Sequence, residues 1–161
     1  GKSMTVGRLI AQSFGRCGHH AFLIHLPYYG QRRPPEGRPD GEQLVAAVKQ
    51  AIGDVRRAYD AVAALPMVDS QSISLQGTSL GGFVTATSAG LDCPFHRVFI
   101  LLAGGDLYNV IMQGRRDAAN LRRELLNNGV TLEQLRTVLD QIEPLHLAHR
   151  LPAARTWIYS G

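Results

Sequence analysis

Short apolar runs alternate along the chain with longer segments whose apolar residues recur every three or four positions. The short runs are typical of strands buried in a parallel sheet, and they cover 21–26, 72–76, 98–103 and 156–160. Helical spacing covers 4–14, a segment from an Asp40 N-cap to Pro66, and 82–89. This alternation predicts the α/β class: a parallel sheet with helices on both faces, in three layers.

Residues 107–149 interrupt the alternation. Their pattern predicts two or three consecutive helices, with a stop at Asn127-Asn128-Gly129 and a new start at a capping box formed by Thr131 and Gln134. We therefore expect one domain, 1–161, with a helical insertion at about 107–149. Because the insertion follows a strand end, it is expected to form a lid over the C-terminal edge of the sheet.

The pentapeptide Gly77-Thr78-Ser79-Leu80-Gly81 lies between a predicted strand and a predicted helix. It fits G-x-S-x-G, a strained turn that presents a nucleophilic serine. Glycine is expected at both ends of the motif because a side chain there would collide with the neighbouring strand or helix. The Leu80 N–H, at a helix N-terminus, can donate to an oxyanion. The alternative is a glycine-rich turn that carries an ordinary serine.

Composition narrows the class of partner. Hydrophobic residues make up 45% of the chain and charged residues 19%, as in globular domains. The net charge of +4 comes mainly from scattered arginines without interleaved aromatic residues, so no nucleic-acid partner is predicted. No apolar run approaches the roughly 20 residues that span a membrane, so no membrane partner is predicted. Cys17 and Cys93 are too far apart for a metal motif, and no metal or cofactor is predicted.

With these motifs the chain resembles the α/β-hydrolase superfamily. It is most similar to the serine esterase and peptidase branch with prolyl-oligopeptidase-like and dienelactone-hydrolase-like enzymes. The motifs are the turn at 77–81, the loop Pro27-Tyr28-Tyr29-Gly30 and the closing Trp157-Ile158-Tyr159-Ser160-Gly161. The resemblance implies a serine hydrolase that acts on a carboxylic ester or a peptide-like acyl bond of a small molecule or peptide, without a cofactor.

The resemblance also implies that the chain is an internal piece of a longer protein, from the helix after the family's third strand to its seventh strand. An incomplete hydrolase core is therefore expected. A glycine-containing oxyanion loop should precede Gly1. An aspartate should follow Gly161 within roughly two to five residues, and a histidine should come some tens of residues later, in the order nucleophile, acid, histidine.

Other residues are candidates with open alternatives. Asp106 follows the strand 98–103 and is either the catalytic acid or a helix N-cap. Tyr28 and Tyr29 either line the substrate pocket or pack within their loop. Histidines near predicted strand ends are expected to be structural rather than catalytic: His25, His146 and His149. Paired arginines are expected on solvated faces, or at an acidic group of the substrate: Arg32-Arg33, Arg115-Arg116 and Arg122-Arg123.

Two rival functions remain. Gly1-Lys2-Ser3 followed by a helix resembles the end of a P-loop, which would make the protein a nucleotide-binding protein. However, the next predicted strand ends at His25-Leu26, where a P-loop protein would carry an aspartate for magnesium. The other rival is a hydrolase fold that has lost its triad and serves as a binding module.

Overall fold

The computed structural model describes residues 4–33, 41–92, 94–127 and 129–160. Within these ranges the helices are α1 Thr5–Arg16, α2 Gly41–Ala63, α3 Leu80–Leu91, α4 Leu107–Gln113, α5 Asp117–Asn127 and α6 Leu132–Asp140. The strands are β1 Leu75–Thr78, β2 Val98–Leu101 and β3 Thr156–Tyr159. Short 3₁₀-helices lie at Gly30–Arg32, Ser70–Ser72, Pro144–Arg150 and Ala153–Arg155.

The three strands form one parallel sheet in the order β1-β2-β3. The predicted α/β class with a parallel sheet is therefore confirmed. The first strand begins at Leu75 rather than at Ser72, because a 3₁₀-helix occupies Ser70–Ser72. Asp69 caps that 3₁₀-helix: its carboxylate accepts from the Gln71 N–H at 2.9 Å and from the Ser72 hydroxyl at 2.6 Å.

Helix α3 is the centre of the packing. Every residue from Val84 to Gly90 is buried, because its small side chains let other elements approach on several sides. It packs against β1, β2, α2 and the 3₁₀-helix Pro144–Arg150. The sheet face toward α3 carries Val98 and Ile100, which are buried. Helix α2 adds an apolar stripe of buried residues at helical spacing: Val45, Val48, Ala51, Ile52 and Val55.

The opposite sheet face carries aromatic side chains. Phe99 and Trp157 are register partners on β2 and β3, and their rings stack with centroids 5.1 Å apart. Trp157 and Tyr159 are 46% and 63% exposed. A helical layer on this face, which would complete the expected three layers, stays a prediction.

The prediction of a strand at 21–26 is wrong. These residues have no regular secondary structure and pair with no strand of the described chain. Ile24 and Leu26 pack against the core, whereas residues 21–23 are exposed. An apolar run reports that side chains seek burial, but a strand also needs a neighbour for its N–H and C=O groups. Among the described residues, no strand supplies that neighbour for this segment.

The predicted helices in 107–149 are present as α4, α5 and α6. The capping box at the start of α6 is confirmed: Thr131 Oγ1 accepts from the Gln134 N–H at 3.2 Å, and Gln134 Oε1 accepts from the Thr131 N–H at 2.9 Å. Helix α5 ends at Asn127, and Gly129 follows with φ +80°. Helix α2 is confirmed, but its predicted Asp40 cap lies outside the described residues.

Candidate active site

Ser79 stands between β1 and α3, as the G-x-S-x-G pattern predicts. Its backbone has φ 56° and ψ −122°, a conformation that costs a non-glycine residue free energy. Hydrogen bonds hold that conformation on both sides. The Ser79 N–H donates to the Leu101 carbonyl at 2.9 Å, and the Ser79 carbonyl accepts from the N–H groups of Gly82 and Phe83 at 2.7 and 3.2 Å.

Two glycines permit this turn. The motif predicts Gly77 and Gly81, but the structure requires Gly77 and Gly82. A Cβ built on Gly77 would overlap the Gly81 carbonyl and the Thr85 hydroxyl, so Gly77 is required. The expected collision at Gly81 is wrong, because nothing lies within 4 Å of a Cβ built there. The second close approach is at Gly82, where a Cβ would lie 2.5 Å from the Ala103 Cβ and 3.1 Å from the Leu101 carbonyl oxygen.

The start of α3 presents free donors beside the exposed Ser79. The N–H groups of Leu80 and Gly81 have no backbone acceptor in the described part of the chain, whereas those of Gly82 and Phe83 bind the Ser79 carbonyl. Unpaired N–H groups in the first turn of a helix favour a negative charge. The N–H of Leu80, which the sequence predicts as an oxyanion donor, is therefore accompanied by a second free N–H, that of Gly81, which the sequence does not indicate.

After β2 the chain leaves the sheet in much the same way as it does after β1. Leu102 directly follows β2, just as Ser79 directly follows β1, and Thr78 and Leu101 are the last register pair. Leu102 also has a positive φ, of 52°. Its N–H donates to the carbonyl of Tyr159, the last residue of β3, at 2.6 Å.

Asp106 is the N-cap of α4, which confirms the capping alternative. It lies in the left-handed region, with φ 61° and ψ 51°. Its carboxylate accepts from the Asn109 backbone N–H at 3.4 Å and from the Asn109 side-chain amide at 2.7 Å. A role of Asp106 as catalytic acid stays a prediction, and these two bonds already engage the carboxylate.

Glu143 holds the turn that contains Asp106. Its carboxylate accepts three backbone N–H groups: from Asp106 at 2.8 Å, from Leu107 at 2.7 Å and from Leu145 at 3.0 Å. One carboxylate thus caps both α4 and the 3₁₀-helix Pro144–Arg150. The sequence reading missed Glu143. Its only local signal is an acidic residue directly before Pro144, as at many helix starts.

The Tyr28-Tyr29 loop is fastened to α2. Arg32 donates to the His25 carbonyl at 2.9 Å and forms an ion pair with Asp54 at 2.5 Å. Tyr28 has a φ of 65°, which helps to turn the chain sharply. No hydrogen bond joins either tyrosine to the Ser79 turn among the described residues, so their place at a substrate pocket stays a prediction.

The anchor of that loop, Asp54, has a shifted pKa. Burial raises the pKa of Asp54, but hydrogen bonds from Arg32 and Gln50 and the charges of Arg32 and Arg57 together outweigh burial. The pKa of this carboxyl therefore lies below its ordinary value of 3.8. Asp54 is ionised near neutral pH and holds the loop as a charged partner.

Two of the histidines near predicted strand ends have contacts away from the Ser79 turn. His146 Nε2 is 3.2 Å from Asp140 Oδ1, and both side chains are exposed. His25 is half-buried, and its imidazole fills the space beside Gly30, where a Cβ would lie 2.8 Å from Nδ1. Within the described ranges, no imidazole hydrogen-bonds the Ser79 hydroxyl.

One arginine pair differs from the expectation of a solvated face. Arg122 is half-buried and donates to the carbonyls of Ile111, at 2.8 Å, and Met112. It satisfies carbonyl groups near the C-terminus of α4, which lack partners of their own in the helix. Arg123 is exposed, as are Arg115 and Arg116.

Other site types find no support in the described chain. It contains no group of three His, Cys, Asp or Glu side chains that could hold a metal ion. Nor does any described helix combine the length and apolarity needed to cross a membrane. Cys17 is a free, exposed thiol. The P-loop-like Gly1-Lys2-Ser3 and Cys93 lie outside the described residues.

No protein-family model matches the chain, and no curated protein sequence matches it.

Proposed function

We propose that the protein is a serine hydrolase in which Ser79 attacks the carbonyl of a carboxylic ester or a peptide-like acyl bond. The observation that carries this proposal is the backbone of Ser79. It has a positive φ, it lies between a parallel strand and a helix, and its side chain is exposed at the C-terminal edge of the sheet. Strain of this kind in a polar residue is concentrated at functional sites.

The free N–H groups of the first turn of α3 support the chemistry. When Ser79 Oγ attacks, the substrate carbonyl oxygen becomes negatively charged. The N–H groups of Leu80 and Gly81 are free to donate to that oxygen. Preorganised backbone donors stabilise such an oxyanion more than the uncharged ground state, and removal of one donor in a serine protease costs about 10²–10³ in rate.

The serine needs a base, because its hydroxyl is a weak nucleophile near neutral pH. We place this base, a histidine, and its carboxylate partner in native sequence that follows Gly161. The histidine removes the Ser79 proton during attack and returns it to the leaving group. Asp106 is the second candidate for the carboxylate. The substrate is a small molecule or a peptide, and no step requires a metal or a cofactor.

The same proposal extends to the fold. The parallel sheet and α3 correspond to part of an α/β-hydrolase core, and the helices α4 to α6 form a lid that shapes the substrate site. The Leu102–Asp106 segment supports this arrangement, because it connects the sheet edge beside Ser79 to α4. Glu143 fixes the far end of that segment.

A burst experiment on the complete native protein tests the proposal. Mixed with excess p-nitrophenyl acetate, the native protein should release about one equivalent of nitrophenol rapidly and then turn over steadily, as Ser79 is acylated. Ser79→Ala should abolish both phases. Ser74→Ala is the control, because Ser74 is also exposed and precedes the same strand. A native protein without a burst or turnover on esters and peptide substrates would favour the binding-module alternative.

A further inference from the structure

Leu102, the residue directly after β2, combines an exposed side chain with an unusual backbone conformation. The residue is 53% exposed although it is apolar, and its φ of 52° is unfavourable for leucine. Glycine adopts this conformation without cost, and asparagine adopts it more readily than leucine does. Packing of the side chain does not explain why a leucine, rather than glycine or asparagine, stands at this strained position.

The conformation of Leu102 is fixed by its neighbours on both sides. Before it, the Leu101 carbonyl accepts the Ser79 N–H at 2.9 Å. At Leu102 itself, the N–H donates to the Tyr159 carbonyl at 2.6 Å. After it, Ala103 is buried against Gly82 of α3. The backbone therefore holds Leu102 at one place on the sheet edge.

That place is next to Ser79. Thr78 and Leu101 are register partners, so Ser79 and Leu102 are the first residues beyond the ladder on adjacent strands. Neighbouring strands lie about 4.8 Å apart, which puts the two residues side by side at the C-terminal edge. An exposed leucine therefore lies on the strand end beside the serine that would attack the substrate.

We propose that Leu102 is a specificity-determining residue that contacts the acyl group of the substrate and selects an uncharged, apolar chain. This inference rests on the proposed function, because it assigns a substrate class to the same site. The strained backbone then has a purpose: it keeps an apolar side chain exposed beside the nucleophile. A polar or absent side chain at position 102 should weaken the preference for longer acyl chains.

The test compares kcat/KM of the complete native protein for p-nitrophenyl octanoate and p-nitrophenyl acetate. Leu102→Asn keeps a residue that tolerates the left-handed conformation but makes the side chain polar. Leu102→Gly removes the side chain and the strain. Both variants should lower the octanoate-to-acetate ratio by roughly tenfold, the size of discrimination that a few methylene contacts provide. Leu91→Asn, at an exposed leucine at the opposite end of α3 from Ser79, should leave the ratio unchanged.

The outcomes separate this inference from the proposed function. If both Leu102 variants acylate Ser79 and keep the native ratio within about twofold, the role of Leu102 is overturned while the serine hydrolase stands. An equal loss of rate on both esters would show a structural role and would also overturn it. If the native protein forms no acyl-enzyme at Ser79, both proposals fall.

Discussion

Gly77 lets the backbone of Gly81 approach β1 so closely that no other residue fits at position 77. A Cβ on Gly77 would overlap the Gly81 carbonyl group. The two glycines of the motif therefore have different roles. The absence of a side chain at Gly77 leaves a space, and the carbonyl group of Gly81 fills that space. This approach lets α3 begin directly after Ser79 and places its free N–H groups beside the serine.

Alanine substitutions distinguish the two glycines. Gly77→Ala should lower the free energy of unfolding by at least about 1–3 kcal/mol, because α3 must move away from β1. Gly81→Ala should be neutral or stabilising by up to about 1 kcal/mol, because its Cβ meets open space and alanine favours a helix. Urea unfolding of both variants provides the measurement. Equal destabilisation by the two substitutions would contradict the geometry of this turn.

Glu143 should be worth more to stability than other carboxylates on the helical segment. Glu143→Ala leaves the N–H groups of Asp106, Leu107 and Leu145 without their acceptor and should cost about 2–3 kcal/mol. Glu133→Ala, in the first turn of α6, should cost less than about 1 kcal/mol. Thermal unfolding of the two variants measures the difference in their stability. A Glu143→Ala protein as stable as Glu133→Ala would show that the three hydrogen bonds contribute little.

Asp106→Asn separates capping from acid catalysis. Asparagine is as good an N-cap as aspartate and tolerates the left-handed backbone, so the substitution should leave folding unchanged. We expect kcat on an ester to stay within a few-fold of native, because the carboxylate is occupied by Asn109. Loss of a triad acid costs about 10⁴-fold. A fall of that size would make Asp106 the acid and would remove the need for one after Gly161.

The Arg32–Asp54 ion pair should make stability depend on acidic pH. The pKa of Asp54 is lowered in the folded state, so its contribution is complete above the ordinary value of 3.8 and is lost as pH falls below that value through the folded pKa. When the pH falls from about 6 to about 2, the free energy of unfolding should therefore decrease by about 1 kcal/mol less in Asp54→Asn than in the native protein.

The control for this pH series is Asp92→Asn. Asp92 pairs with Arg56 at 3.0 Å, but its side chain is 65% exposed, so solvent screens the pair. Urea unfolding at each pH gives the free energy of unfolding of both variants. If it depends on pH in the same way in Asp54→Asn and Asp92→Asn, the charge of Asp54 does not hold the loop.

Local patterns in the sequence predicted what depends on neighbouring residues. The capping box at Thr131 and the turn at Ser79 are encoded within a few positions, and the structure has both. Residues 21–26 were predicted as a strand because an apolar run indicates burial. The run does not say whether a partner strand is available, and none pairs with it in the described chain.

Local sequence patterns do not predict which residues that are distant in the chain come into contact. The motif marks Gly77 and Gly81, but only the path of α3 past β2 shows that Gly82 is the second close contact. The bonds from Asp106 and Leu107 to Glu143 span 37 and 36 positions, and nothing local to either end indicates the other. Likewise, Leu102 looks like an ordinary strand residue until its φ is known.

Labelling with a fluorophosphonate probe tests the central claim most directly, because the probe reacts only with an activated serine. We expect mass spectrometry of the labelled complete native protein to find one adduct, on Ser79, which Ser79→Ala removes and Ser74→Ala keeps. Activation by a base should make this reaction depend on pH, with faster labelling as the histidine loses its proton near its ordinary pKa of about 6.5. An unlabelled Ser79 in a folded native protein, or ester hydrolysis that survives Ser79→Ala at the native rate, would contradict the account.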